Sequence, residues 1–257
     1  MASANNGLFV WYELLTKDPK AAIAFYSEVM GWKTQPFTEG GGDYTMWVGS
    51  QGPLGGVMQL PEEAAKMGAP PHFMGHVQVA DVDATAALAQ KLGGAVLHAP
   101  ADIPTVGRFA VIADPQGASL SIFRPNQDMT AHDTTKEGEV CWNELMARDS
   151  EAAFRFYAEL FGWTILHEMD MGPQGKYRLF GIGEKRVGGM MTIPAGMPMP
   201  PSWTYYTETA DLDAAIARAT KRGAKLLNGP EDVPNGRLAQ LMDPQGASFA
   251  LHQGVKK

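Results

Sequence analysis

Residues 9–32, FVWYELLTKDPKAAIAFYSEVMGW, align without a gap on residues 140–163, VCWNELMARDSEAAFRFYAELFGW. Trp11, Glu13, Leu14, Asp18, Ala21, Ala22, Phe25, Tyr26, Glu28, Gly31 and Trp32 recur, 11 of 24 positions, where composition alone gives roughly one or two. Further on, GRFAVIADPQGASLSIF at 107–123 matches GRLAQLMDPQGASFALH at 236–252, with 9 of 17 positions identical. An internal repeat constrains a fold more than any local propensity, because each copy must make the same elements. Two domains follow, 1–126 and 139–257, joined by a polar linker at 127–138 that is rich in turn formers.

Each half divides again by pattern. Residues 9–15 alternate Phe9, Trp11, Glu13 and Leu15 with Val10, Tyr12 and Leu14, the period of a strand. Asp18 stands where a helix N-cap belongs, with Pro19 at the first helical position, and Ala22, Ile23, Tyr26, Val29 and Met30 follow at helical spacing until Gly31. Strand-like runs follow at 44–49 and 54–60. The scheme then restarts with a strand near 73–79, Asp81 as a cap, a helix over 83–92 stopped by Gly93–Gly94, and strands near 107–113 and 118–123 around the turn DPQG. The order strand, helix, then two or three strands is thus predicted four times.

The balance of 21 Lys and Arg against 28 Asp and Glu, a formal charge of −7, argues against nucleic acid and anionic membranes as partners, since both need a concentrated positive field. The apolar runs are strand-sized, short of the roughly 18–20 residues that span a bilayer, and MASANNGLF lacks signal-peptide character. A cytoplasmic protein, monomer or homodimer, is expected. Cys141 is the only cysteine, so an internal disulfide and a cysteine-based zinc site are not expected, and the thiol is assigned to packing.

A strand closing at Asp-Pro, the helix end AFYSEVMGW, the PPHF and PPSW segments before the fifth strand of each half, and GRFAVIADPQGASLSIF together resemble the glyoxalase/bleomycin-resistance/dioxygenase (vicinal oxygen chelate) superfamily, in its two-domain glyoxalase-like or hydroxylase type. The likeness runs over nearly the whole chain, twice. It implies an α+β fold of four βαβββ modules paired into two curled mixed sheets, helices outside, each sheet around a cavity. In catalytic members it also implies a divalent metal held by His, Glu or Gln. The implied ligand positions are Trp11, Met74 and Ser121 in the first half and Trp142, Thr204 and Ala250 in the second. These side chains do not make a set of carboxylates and imidazoles, so no metal or other cofactor is assigned.

Two residues further along each strand, on the same face, stand Glu13, His76 and Phe123 in the first half and Glu144, Tyr206 and His252 in the second. A carboxylate repeated on an otherwise apolar strand is costly to bury without a partner or a task. It is either a general base with His76, Tyr206 or His252 as proton partner, or a structural group shared by descent. Glu13 with His76 as a reduced metal pair is the weaker idea. Trp11, Trp142 and Phe123 are candidate cavity walls for a flat ligand or plain core fillers. Arg108 and Arg237, in matching GR dipeptides, either clamp an anionic group or pair with a structural carboxylate. His72, Phe73 and Trp203 are placed at a rim or domain contact, and His98 and His132 in solvent. The Gly runs near 39–42 (EGGGD), 55–56 and 188–189 match no nucleotide motif, and the GMPMPP segment at 196–201 is a candidate adaptable flap. The expected function is to bind or act on a small carbonyl or phenolic molecule, as a lyase or oxygenase if catalytic. The alternatives are non-catalytic sequestration and a solidly packed partner-binding protein.

Overall fold

The computed structural model describes residues 5–38 and 44–255; the EGGGD run lies outside them. The first half contains β1 (Phe9–Thr16), α1 (Pro19–Met30), β2 (Lys33–Phe37), β3 (Tyr44–Gly49), β4 (Gly52–Gln59), the short α2 (Glu62–Lys66), β5 (His72–Gln78), α3 (Val82–Lys91), β6 (Ala95–Ile103), β7 (Gly107–Ala113) and β8 (Ser119–Pro125). The second contains β9 (Val140–Ala147), α4 (Ser150–Phe161), β10 (Thr164–Asp170), β11 (Lys176–Ile182), β12 (Lys185–Thr192), β13 (Ser202–Glu208), α5 (Leu212–Lys221), β14 (Lys225–Val233), β15 (Gly236–Met242) and β16 (Ser248–Gly254). Four βαβββ modules result, in an α+β fold. Every module has three strands after its principal helix; β2, β6, β10 and β14 are strands that the hydrophobic pattern did not announce.

The strands form two mixed eight-stranded sheets, ordered β2-β3-β4-β1-β5-β8-β7-β6 and β10-β11-β12-β9-β13-β16-β15-β14. Each sheet therefore joins the two modules of one half. The densest packing divides the chain differently. One compact unit comprises Met1–Val10, Gly75–Ala131 and Trp142–Trp203, the other Trp11–Met74, His132–Cys141 and Thr204–Lys257, so each unit takes a module from both halves.

The repeated motifs explain this packing. All four long helices begin at an aspartate whose carboxylate accepts from the backbone three residues on: Asp18 from Ala21, Asp81 from Ala84, Asp149 from Ala152 and Asp211 from Ala214. Such caps contribute about 1 kcal/mol each. Gly31 and Gly162 close α1 and α4 in the left-handed region, at φ 72° and 71°, as a helix C-terminus favours. Tyr26 of α1 donates its hydroxyl to Asp243 of the second DPQG turn at 3.1 Å, and Gln245 of that turn bonds both the N–H and the C=O of Asp18. The other unit repeats the clamp with Tyr157 and Asp114 at 3.2 Å and Gln116 on Asp149. Within the turns, Asp114 and Asp243 accept backbone N–H groups two and four residues on.

An aromatic cluster fills each unit. Tyr26, Trp32, Trp47 and Phe249 pack in one with Leu14, Leu241 and Leu251, all buried. In the other, Trp163 stacks on Phe180 at 4.4 Å and Trp203 lies against Tyr157 at 5.4 Å. Trp203 is thus a core residue with its indole N–H given to Tyr157, not a rim residue, because the hydroxyl of Tyr157 offers its polar atom a partner. Phe73 likewise packs against Tyr26 and Trp32. Among the described residues no helix is long and apolar enough to cross a membrane.

Candidate functional site

The repeated glutamates sit on the strands next to the paired glycines. In one unit Glu13 of β1 lies opposite Gly56 of β4, and in the other Glu144 of β9 lies opposite Gly189 of β12. β4 separates β1 from β3, and β12 separates β9 from β11. A side chain on β3 or β11 can reach the carboxylate only across the intervening strand. Tyr44 and Tyr177 do so through the space that Gly56 and Gly189 leave: a Cβ at either glycine would overlap the tyrosine hydroxyl.

Each tyrosine then links a tryptophan to a glutamate. The Trp142 indole N–H donates to the Tyr177 hydroxyl at 2.8 Å, and that hydroxyl donates to Glu144 Oε2 at 2.9 Å. In the other unit Trp11 donates to Tyr44 at 2.9 Å, and Tyr44 is hydrogen-bonded to Glu13. The donors all point the same way, toward the carboxylate, so each bond polarises the next. Burial raises the Glu13 carboxyl above its ordinary range, against a smaller opposing effect of the Tyr44 hydrogen bond. Burial and the neighbouring carboxylate raise both tyrosine hydroxyls. Each Tyr therefore stays protonated and acts as a fixed donor to the carboxylate.

The remaining candidates divide between the units: Glu13, Tyr206 and His252 fall in one, His76 and Glu144 in the other. His76 is buried, edge-on to Phe123 at 6.2 Å between centroids, and burial pushes its imidazole down to about 4. Phe123 is buried as well. The Tyr206 hydroxyl accepts from Gln240 Nε2 at 2.7 Å. His252 Nδ1 lies 2.7 Å from Glu208 Oε2. Arg108 forms ion pairs with Asp83 and Asp102 at 2.7 and 2.9 Å, and Arg237 with Asp213 and Asp232 at 2.8 and 3.6 Å. Both guanidinium groups are thus already engaged by carboxylates. His98 is exposed and stacked on Phe109. His132 departs from its expected solvated state: it is partly buried, with Nδ1 2.7 Å from the buried Glu139 carboxylate.

Tyr44, Tyr177 and Glu208 went unrecognised in the sequence. For the tyrosines the signal was present: a Tyr three residues before a buried aromatic (Trp47, Phe180), with a Gly-Gly pair downstream, occurs once in each half.

The residues at the implied metal positions do not fit such an ion. Trp11 commits its N–H to Tyr44, Ser121 Oγ donates to the Ala110 carbonyl at 3.3 Å, and Met74 and Ala250 are buried side chains without an oxygen or nitrogen. No step is derived through a metal there.

The chain belongs to the Glyoxalase/Bleomycin resistance protein/Dioxygenase superfamily, whose profile matches residues 8–122 and 140–251. It is 34% identical over 245 residues to "Putative glyoxylase CFP32" of Mycobacterium tuberculosis, covering 94% of this chain and 92% of the relative. It is 29% identical over 257 residues to the anthracycline biosynthesis protein DnrV of Streptomyces peucetius, covering 95% and 92%. Among solved structures, the 2,3-dioxygenase LapB of Pseudomonas sp. KL28 superposes with a TM-score of 0.67 over 99% of this chain and 94% of that one. Its identity is 11%, so this likeness concerns the fold alone.

Proposed function

We propose that the protein binds a small organic molecule bearing a carbonyl or phenolic group beside one or both Trp–Tyr–Glu relays, and that Glu13 or Glu144 exchanges a proton with it. The observation that carries this reading is the relay itself, present in both halves and housed by glycines whose replacement would fill its space. Burial suits Glu13 to this work, because a carboxyl whose pKa is raised by desolvation is a stronger base than an exposed one. Tyr44 and Tyr177 are positioning residues, and Trp11 and Trp142 supply apolar walls whose orientation is fixed by their N–H bonds. His76, Tyr206 and His252 are the candidate proton partners or orienters, with Phe123 as a further wall. The names of the relatives, a glyoxylase and an anthracycline biosynthesis protein, are compatible with carbonyl and phenolic ligands.

The test begins with tryptophan fluorescence against a panel of dicarbonyl, enone and polyphenolic compounds, followed by product analysis for each one that binds. With a turned-over compound, Glu13→Gln or Glu144→Gln is expected to lower kcat by about 10²–10⁴-fold. Tyr177→Phe is expected to cause a smaller loss and a shifted pH profile. Full turnover in both Gln variants would remove the base from the reading. Saturable quenching with no product from any compound would establish the alternative, a sequestering protein.

A further inference from the structure

Among the described residues, three side chains with metal-binding chemistry come together outside the relays: Cys141 of β9, Glu208 of β13 and His252 of β16. One ligand atom from each lies within 4.8 Å of the others, and all three residues are partly buried. The strand order β9-β13-β16 makes them neighbours, and the β13–β16 register sets Glu208 opposite His252. We infer that Cys141, Glu208 and His252 form a binding site for one transition-metal dication of the zinc class.

Four observations support it. The donor set is one sulfur, one carboxylate oxygen and one imidazole nitrogen, which suits Zn²⁺ or Co²⁺ and disfavours Mg²⁺ or Ca²⁺. With the thiol deprotonated, the set carries two negative charges and neutralises the ion. The spacing is close to what coordination needs: bonds of about 2.0–2.3 Å at tetrahedral angles put ligand atoms roughly 3.3–3.7 Å apart, against a limit of 4.8 Å here and 2.7 Å between Glu208 Oε2 and His252 Nδ1. The carboxylate is also held from behind, because Glu208 Oε1 accepts the Gly254 N–H at 2.7 Å, as outer hydrogen bonds commonly fix a ligand.

The fourth observation is the contrast between the halves. The aligned positions in the first half are Val10, Gln78 and Phe123, two of them without a ligand atom and the third a neutral amide. In the second half two of them become ligands and the third gains a charge. The site is distinct from the positions that the family resemblance assigns, Trp142, Thr204 and Ala250. It reads the single cysteine differently from the sequence. That count excludes sites built from several thiolates, but one thiolate can share an ion with nitrogen and oxygen ligands. The fourth coordination position is left to water or a ligand, as in zinc sites that are not closed.

The full chain, stripped with a chelator and dialysed, would be titrated with Zn²⁺ by calorimetry and with Co²⁺ by absorption spectroscopy. One ion per chain is expected, with a thiolate-to-cobalt charge-transfer band. Cys141→Ser should abolish that band and, like Glu208→Gln and His252→Phe, weaken Zn²⁺ binding at least about ten-fold. Because Cys141 is the only thiol, a wild-type measurement backs the variants: Zn²⁺ should slow its alkylation by iodoacetamide. No saturable Zn²⁺ binding to the wild type, unchanged affinity in any of the three folded variants, or alkylation indifferent to Zn²⁺ overturns the assignment.

Discussion

His76→Gln is expected to remove about 3 kcal/mol of the stability change that the wild type shows between pH 7 and pH 4, read from resistance to urea. His76 is buried, and desolvation lowers its imidazole from 6.5 to about 4. The unfolded chain binds a proton as pH falls below 6.5, while the folded chain refuses it until about 4. Through that window the unfolded state holds more protons, so stability falls with pH, and the neutral ring's full contribution is present only above 6.5. Glu13 and Asp114, both raised by burial, act in the opposite sense: each costs stability as pH rises through its ionisation. Comparing wild type and variant at pH 7 and pH 4 removes these shared contributions. Equal losses in both proteins would show that the imidazole is protonated in the fold.

Gly55→Ala is the second large effect, a destabilisation of about 3 kcal/mol, the upper end of what overpacking usually costs. A Cβ there would overlap the Tyr12 carbonyl oxygen, which belongs to the facing strand in the pair Tyr12↔Gly55. A backbone oxygen cannot turn aside, so β1 and β4 would have to separate. Gly188→Ala, which meets the Asn143 carbonyl, should behave alike. Gly56→Ala is the informative contrast. Its Cβ meets the end of the Tyr44 side chain, which can swing away, so about 1–2 kcal/mol is expected together with the loss of the Tyr44 bonds to Trp11 and Glu13. Denaturant midpoints measure the stabilities. If Gly55→Ala proves no worse than Gly56→Ala, the close approach of β1 and β4 is wrong.

These glycines show what the sequence could and could not disclose. The repeat, the Asp caps and the Gly stops are local chemistry, and α1 was legible from Asp18, Pro19 and Gly31. β2, β10 and β14 were not, because they lie at sheet edges with nearly every residue exposed; a strand wetted on both faces has no alternation to detect. Glu13 and Glu144 stood out as charges on apolar strands, whereas their partners did not, since Tyr44 and Tyr177 reach them across an intervening strand. Such a contact depends on sheet order, which no single segment carries. The second glycine of each GG pair, Gly56 and Gly189, is the space for that reach, and the first, Gly55 and Gly188, lets the facing strand's carbonyl approach.

The tyrosine-to-turn clamps tie the two copies of the repeat into one folding problem. Tyr26 finds its aspartate in the second copy of the repeat, and Tyr157 finds its own in the first. Each half supplies the helix that the other's turn receives. Cutting the chain at the linker would therefore separate each helix from the turn that receives it, and neither half alone could close its clamp.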